Sequence, residues 1–218
     1  MLPASHALRR LGRASAWALA YGLVFGGPVG LLYYFGGERL LRDVPSSGFD
    51  FDTHITQAWR VLEGLRGWGR TWIYDVQNLA GYPAGTIFDA DNKAWELWTH
   101  ALVWLGVPQG LAFNLFTVLA HLLVAPVVYA SSRLFGLGRR ASLLAAGLGV
   151  LYWYFDAWNH WVWFVGMVAY AFAGYLFLLP LGAFYRWIQD RRPIHAVLAA
   201  VSMAAAHLVH PYTFFILV

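Results

Sequence analysis

Long apolar runs alternate with short basic turns along most of this chain, and one long polar segment interrupts them. The apolar runs cover residues 14–35, 111–135, 143–155, 162–185 and 194–218. A helix of about 20 apolar residues can cross a bilayer core of ~30 Å. The pattern therefore predicts an all-α, polytopic membrane helix bundle of about five spans, forming a single transmembrane domain over residues 1–218.

The polar segment, residues 37–95, is predicted to be a large first outer loop. Apolar residues spaced three or four apart from Ile55 onward predict an amphipathic helix at the membrane surface, with Asp50 or Asp52 as its N-cap. A second apolar stretch, residues 94–105, is too short to cross a bilayer. We interpret it as a juxtamembrane helix.

Charge and composition support a membrane location. The chain is 60% hydrophobic and 12% charged, where soluble domains carry roughly 25% charged residues. Nine arginines fall in the N-terminal segment or in turns that would face the cytoplasm, and ten of the eleven acids fall on the other side. We expect an integral protein of a bacterial inner membrane, with its N-terminus cytoplasmic. The net charge of +4 is explained by these turns and not by nucleic-acid binding.

The chain stops inside an apolar run, so we expect it to be the N-terminal part of a longer polypeptide. Its pieces come in a distinctive order: a basic N-terminus, one span, Asp50-Phe-Asp52, an amphipathic helix, the turn Gly106-Val107, and a second span that ends in Ser-Arg-Leu-Phe-Gly-Leu-Gly-Arg-Arg-Ala at residues 132–141. Over residues 9–155 this order resembles the GT-C superfamily of membrane glycosyltransferases, which includes the oligosaccharyltransferase catalytic subunits and the protein O-mannosyltransferases.

The resemblance implies transfer of a sugar from a polyprenyl-phosphate donor to an acceptor on the outer side of the membrane. Asp50 and Asp52 would supply the catalytic base. If they lie in an extended segment before the helix, both can face one cavity. We expect Asp52→Asn to abolish transfer and Asp50→Asn to weaken it less completely. His54, His207 and His210 are candidate substrate-binding residues, the last two on one face of the fifth span.

A divalent metal is a further expectation. In the oligosaccharyltransferase-like enzymes a second acidic motif helps to hold a metal, and Asp156 matches its location in the second outer turn. With His160 it offers ligands for Mg²⁺, Mn²⁺ or Zn²⁺. The alternative is that both residues are structural. A second Asp-x-Asp, at Asp89 and Asp91, lies among turn formers, and we interpret it as part of a turn.

The alternative function is a non-catalytic subunit of a larger membrane complex, in which histidines within the spans bind a haem or a pigment. An absorption spectrum would separate the two hypotheses. A transporter is disfavoured, because the spans carry no carboxylates and the sequence has no inverted repeat. The expected partners are membrane lipid, a lipid-linked sugar donor and other membrane subunits.

Overall fold

The computed structural model describes residues 14–76, 81–84 and 93–211, and within them the chain is all-α apart from one short hairpin. The eight helices are α1 (Ala14–Tyr34), α2 (Asp50–Trp68), α3 (Lys93–Trp104), α4 (Gln109–Leu134), α5 (Arg139–Phe155), α6 (Ala157–Phe164), α7 (Val168–Asp190) and α8 (Pro193–Val209). The antiparallel strands β1 (Ile73–Asp75) and β2 (Tyr82–Ala84) form the hairpin. The predicted all-α class is confirmed.

Three helices, α1, α4 and α7, are long and apolar enough to cross a membrane. Helices α5 and α8 have 17 residues each and reach about 26 Å, which is short of a bilayer core of ~30 Å. Five spans are therefore an expectation that the structure does not show. The acids Asp89 and Asp91 and the final residues 212–218 lie outside the described residues.

The predicted span over residues 162–185 is broken near its start, and this part of the sequence interpretation is wrong. Helix α6 ends at Phe164, and α7 begins only at Val168. Between them Gly166 has φ +102°, a conformation that residues with a Cβ rarely adopt. A Cβ at Gly166 would lie 2.5 Å from the backbone nitrogen of Phe51, because the first turn of α2 packs directly against this turn.

Helix α4 is the centre of the bundle and packs against α3, α5 and α7. Aromatic rings fill the interface with α3: Trp95 stacks on Phe113 and Phe116, with ring centroids 4.6 and 5.0 Å apart. The indole N–H of Trp95 also donates to the carbonyl of Phe113, at 2.9 Å. The short helix predicted before the second span is therefore present, and its tryptophan is buried against α4.

Helix α2 is amphipathic, as the apolar spacing predicts. It buries Ala58, Val61 and Leu62 and ends before Gly69, whose φ of +65° suits a glycine C-cap. A buried ion pair joins Nε of Arg60 to Oδ2 of Asp75 at 2.7 Å. This pair connects α2 to the first strand of the hairpin.

Candidate functional site

Residues 42–46 lie across the first turns of α4 and are held there by one fully buried amide, that of Asn114. Its Oδ1 accepts hydrogen bonds from the backbone nitrogen and the hydroxyl of Ser46, at 2.8 and 3.0 Å. Its Nδ2 donates to the carbonyls of Arg42 and Val44, at 3.2 and 2.8 Å. Both donors and both acceptor positions of the amide are thus engaged.

The carboxylate of Asp43 anchors the same segment to the N-terminus of α4. Its Oδ1 accepts from the backbone nitrogens of Gly110 and Leu111, at 3.0 and 3.3 Å. These N–H groups have no partner within the helix, and the helix dipole favours a negative charge at this end. A Cβ at Gly110 would lie 2.9 Å from Oδ1 of Asp43 and 3.0 Å from Cδ of Pro45, so the close approach requires glycine.

The two residues before α2 both have positive φ angles. Gly48 has φ +94°, and Phe49 has φ +52° with ψ −132°. Such a backbone costs on the order of 1–3 kcal/mol for a residue with a side chain, and surrounding contacts must maintain it. Oδ1 of Asp52 accepts from the backbone nitrogen of Gly48 at 2.9 Å, and the nitrogen of Asp50 donates to the carbonyl of Val165 at 3.0 Å.

A cavity of about 500 Å³, which we name the loop cavity, lies beneath this segment. Its polar lining consists of Arg39, Arg42, Ser46, Ser47, Thr117 and His121. The end of α1, the loop itself and α6 supply apolar and aromatic walls. Among the described lining residues there is no carboxylate. Two arginines without an acidic neighbour in the lining favour an anionic ligand.

The floor of the loop cavity is formed by two buried side chains of α4, those of Thr117 and His121. Nε1 of Trp153 donates to Nδ1 of His121 at 2.8 Å. A ring nitrogen that accepts a hydrogen bond carries no hydrogen, so the neutral imidazole of His121 has its hydrogen on Nε2. Oγ1 of Thr117 has no hydrogen-bond partner in the part of the chain that the structure describes.

Asp50 and Asp52, the predicted catalytic residues, do not line the loop cavity in the described structure. They occupy the first turn of α2 and not an extended segment, and residues two apart on a helix point to different faces. The expectation that both face one cavity is therefore wrong. Asp52 is exposed and bonded to Gly48, while Asp50 is partly buried beside the turn of Val165 and Gly166.

His54, a predicted substrate ligand, lies between α2 and α3. Its Nδ1 is 3.2 Å from Oε1 of Gln57, and its ring is 5.3 Å from that of Trp95. The described lining of the loop cavity does not include it. A role for His54 in substrate binding stays a prediction.

Asp156 and His160, the predicted metal ligands, line different cavities. Oδ1 of Asp156 caps α6 by accepting from the backbone nitrogen and Nδ2 of Asn159, at 2.9 and 3.2 Å. Nδ1 of His160 is 3.0 Å from the carbonyl oxygen of Tyr154, and its ring lies 4.5 Å from that of Trp163. No group of three His, Asp or Glu side chains suited to a metal occurs within the described ranges. A metal at Asp156 and His160 stays a prediction.

Asp156 lines a groove of about 960 Å³ between α5 and α7, which we name the α5–α7 groove. Its walls include Leu148, Gly149, Tyr152, Tyr170, Gly174 and Leu178. Asp156 is the single charged side chain among the described lining residues. The groove is thus larger than the loop cavity, and its one charged side chain is an acid where the loop cavity has two arginines.

His207 and His210 do not share one face of a helix, and that prediction is wrong. Helix α8 ends at Val209, and His210 has extended backbone with φ −158°. Pro211 explains the break, because the residue before a proline is disfavoured in the helical region. His210 is buried with its ring 5.3 Å from that of Tyr170, whereas His207 is exposed.

Sequence reasoning missed the polar residues that build the loop cavity: Arg39, Arg42, Asn114 and Thr117. The sequence did contain a signal for two of these residues, Asn114 and Thr117. Asn114, Thr117 and His121 are spaced three and four apart in an otherwise apolar run, which places them on one helix face. Polar residues on one face of a membrane-length helix mark a functional-site hypothesis.

Compared with known proteins, the chain matches no protein-family model, no curated protein and no solved structure.

Proposed function

We propose that this chain acts as a glycosyltransferase of the membrane, which moves a sugar from a polyprenyl-phosphate donor to an acceptor on the extracytoplasmic side. In the proposed topology the N-terminus is cytoplasmic, residues 37–95 lie outside, and α1, α4, α5, α7 and α8 are the spans. Local thinning of the bilayer accommodates the shorter α5 and α8. Arginines at the α4–α5 and α7–α8 turns support this orientation.

The observation that carries the proposal is the position of the loop cavity beside the first turn of α2. Gly48 and Phe49 line the cavity, and the next residue is Asp50. Transfer from a sugar phosphate needs a base for the acceptor and positive charge for the departing phosphate. Arg39 and Arg42 in the lining would supply that charge, and Asp50, which follows the lining residue Phe49 in the chain, would supply the base.

The geometry favours Asp50 over Asp52 as the base. Oδ1 of Asp52 accepts a hydrogen bond from Gly48 and so helps to fix the backbone before α2. Asp50 directly follows the cavity wall, and its backbone is held by the carbonyl of Val165. This assignment reverses the order of effects expected from the sequence.

The test is a transfer assay with full-length protein in proteoliposomes, using radiolabelled polyprenyl-phosphate sugars as donors. We expect Asp50→Asn to lower transfer about 10²- to 10⁴-fold, the usual loss when a general base is removed. Asp52→Asn is the matched control and retains most activity, because an asparagine oxygen still accepts from Gly48. Thermal unfolding of both variants checks that the fold is intact.

Full transfer by Asp50→Asn would refute the catalytic assignment. Failure of the wild type to use any donor would refute the proposed function itself. An absorption spectrum of the same preparation tests the alternative hypothesis. A Soret or near-infrared band would favour a haem- or pigment-binding subunit.

A further inference from the structure

A narrow apolar space separates α1 from α5, and one arginine lies at its end. We name this space the α1–α5 cleft, and its volume is about 460 Å³. Aliphatic side chains of the two helices form its walls, among them Leu23, Val24, Leu144 and Leu148. Arg140 is the single charged side chain among the described lining residues. The cleft thus combines long apolar walls with one positive charge.

The guanidinium of Arg140 is held at the end of the cleft by the indole of Trp17. Its Cζ lies 5.7 Å from the centroid of the Trp17 ring, within the range of a cation–π contact. Trp17 is close to the start of α1 and Arg140 close to the start of α5, so the two helices begin at the same end of the cleft. Tryptophan is favoured at the boundary between membrane and water. The charged end of the cleft therefore lies at the depth of lipid headgroups.

The charge of Arg140 is not compensated within the described part of the chain. Arg140 is exposed and forms no ion pair with a carboxylate there. Asp190 is the one acid in the turns at this end of the bundle, and its Oδ1 lies 2.9 Å from Nδ1 of His195. The first turn of α5 holds Arg139 and Arg140 and no acid, although the helix dipole disfavours cations at this end. Helix stability therefore does not account for these arginines.

The length of the cleft matches one leaflet of a bilayer. On α5 the lining extends from Arg140 to Leu151, a rise of about 17 Å at about 1.5 Å per residue. Half of a bilayer core is about 15 Å thick. An acyl chain whose headgroup lies beside Arg140 would therefore end near the middle of the bilayer, where the cleft also ends.

The cleft is too small for a further helix. A helical segment of the same length and about 10 Å in diameter occupies roughly 1,300 Å³. The cleft, at about 460 Å³, offers about a third of that space. Leu23, Leu144 and Leu148 are exposed, so the cleft is open along its side to the surrounding lipid. A single flexible hydrocarbon chain fits this space and can enter it from the bilayer.

We propose that the α1–α5 cleft binds an anionic phospholipid, with one acyl chain along the aliphatic walls and the headgroup phosphate paired with Arg140. In the proposed topology this lipid belongs to the cytoplasmic leaflet. The site lies at the opposite end of α5 from the loop cavity, whose floor is bonded to Trp153. Only 6% of the apolar window of α1 is buried, and the bound lipid fills the space between this helix and the bundle.

The experiment titrates the full-length protein in detergent with phosphatidylglycerol or with phosphatidylcholine of the same acyl chains. Native mass spectrometry then gives the binding constant of each lipid. We expect the wild type to prefer phosphatidylglycerol about fivefold, the effect of one basic residue near an anionic surface. Arg140→Gln should remove most of this preference. Arg139→Gln is the matched control, because it loses the same charge outside the described lining and should keep the preference.

A second pair of variants tests the apolar walls. Leu144→Trp places a larger side chain in the space proposed for the acyl chain and should lower the binding of phosphatidylglycerol. Val201→Trp on α8 is its matched control, since Val201 is 62% exposed and Leu144 is 65% exposed. Val201 is not among the described residues of the cleft, so this variant should bind as the wild type does. Thermal unfolding of all four variants checks that the fold is intact.

Three results would overturn the proposal. The first is equal binding of the two lipids by the wild type, or an equal loss of preference in Arg139→Gln and Arg140→Gln. The second is competition by glycerol phosphate at the concentrations of phosphatidylglycerol, which would exclude a role for the acyl chain. The third is a dimer that is lost in Leu144→Trp, which would assign the cleft to a second copy of the chain. None of these measurements depends on sugar transfer.

Discussion

The loop cavity and the α5–α7 groove differ in size and in chemistry. The groove is the larger space, whereas the loop cavity has the more highly charged lining. The groove is about 960 Å³ and the loop cavity about 500 Å³. The groove carries one charged side chain, Asp156, whose Oδ1 is engaged in capping α6. The loop cavity carries two arginines and, at its floor, Thr117 and His121. Because binding sites combine apolar walls with a few convergent polar groups, the loop cavity is the candidate site despite its smaller volume.

The two spaces also differ in how their walls are held. The loop cavity is bounded by a segment that is bonded to α4 through Asp43 and Asn114. The groove is open beside Gly174, where a Cβ would meet nothing within 4 Å, whereas a Cβ at Gly149 would lie 3.1 Å from Cγ2 of Val128 on α4. The walls of the loop cavity are thus fixed by polar contacts, and the groove has free space at a glycine.

The largest effect should come from removing the amide that holds the loop cavity. Asn114→Ala breaks four hydrogen bonds, and each buried group left without a partner costs about 1–3 kcal/mol. We expect the free energy of unfolding to fall by about 3 kcal/mol or more and transfer to be lost. Asn159→Ala, beside the groove, is the matched control and should retain transfer. Full transfer by Asn114→Ala would show that the bonds of Asn114 do not shape the cavity.

A pair of glycine substitutions compares the two walls directly. Gly110→Ala places a Cβ 2.9 Å from Oδ1 of Asp43, so residues 42–46 must move away from α4. We expect a lower melting temperature and weaker transfer. Gly174→Ala meets nothing within 4 Å and should raise stability by up to about 1 kcal/mol through helix propensity. Thermal unfolding measures the stability of both variants. Equal melting temperatures for Gly110→Ala and Gly174→Ala would contradict the expected difference between the two walls.

Filling the groove should have little effect on transfer. Gly174→Leu projects an apolar side chain into open space between α5 and α7. Transfer should change by less than about twofold, the size expected for a tolerated substitution on an exposed face. Complete loss of transfer would place the donor in the groove and would reverse the comparison.

The smallest effect should be that of the one charged residue of the groove. Asp156→Ala removes the N-cap of α6 and should cost about 1 kcal/mol, whereas Asp156→Asn keeps an accepting oxygen and should cost less. Neither should abolish transfer. A divalent-metal requirement for transfer that disappears in Asp156→Asn would instead support the metal predicted at Asp156 and His160.

The sequence predicted most helices but not the contacts that most of the acids make. Helical periodicity located α2, and long apolar runs located α1 and α4. Asp43, Asp52, Asp75 and Asp156 each accept hydrogen bonds from helix termini, a loop or an arginine. These four carboxylates therefore bind backbone N–H groups or an arginine, a role that composition cannot distinguish from a binding site.

The loop cavity and the break at Gly166 could not be predicted, because both depend on contacts between residues far apart in the chain. Nothing near Arg39 or Arg42 in the sequence indicates that they meet Thr117 and His121, because the segment carrying them docks on α4 through Asn114. The broken span at Gly166 has the same origin, since the packing of α2 sets that turn.

The clamp between residues 42–46 and Asn114 also sets an order for assembly. The bonded groups are 68 to 72 positions apart in the chain. Asn114 has therefore not yet been synthesised when residues 42–46 and α2 are complete. A chain emerging N-terminus first must hold the segment unbonded until α4 is in place. A nascent polypeptide that ends before Asn114 can contain α2, Asp50 and both arginines and still lack the loop cavity. Ligand binding by arrested chains of increasing length should appear abruptly once α4 and α5 are complete.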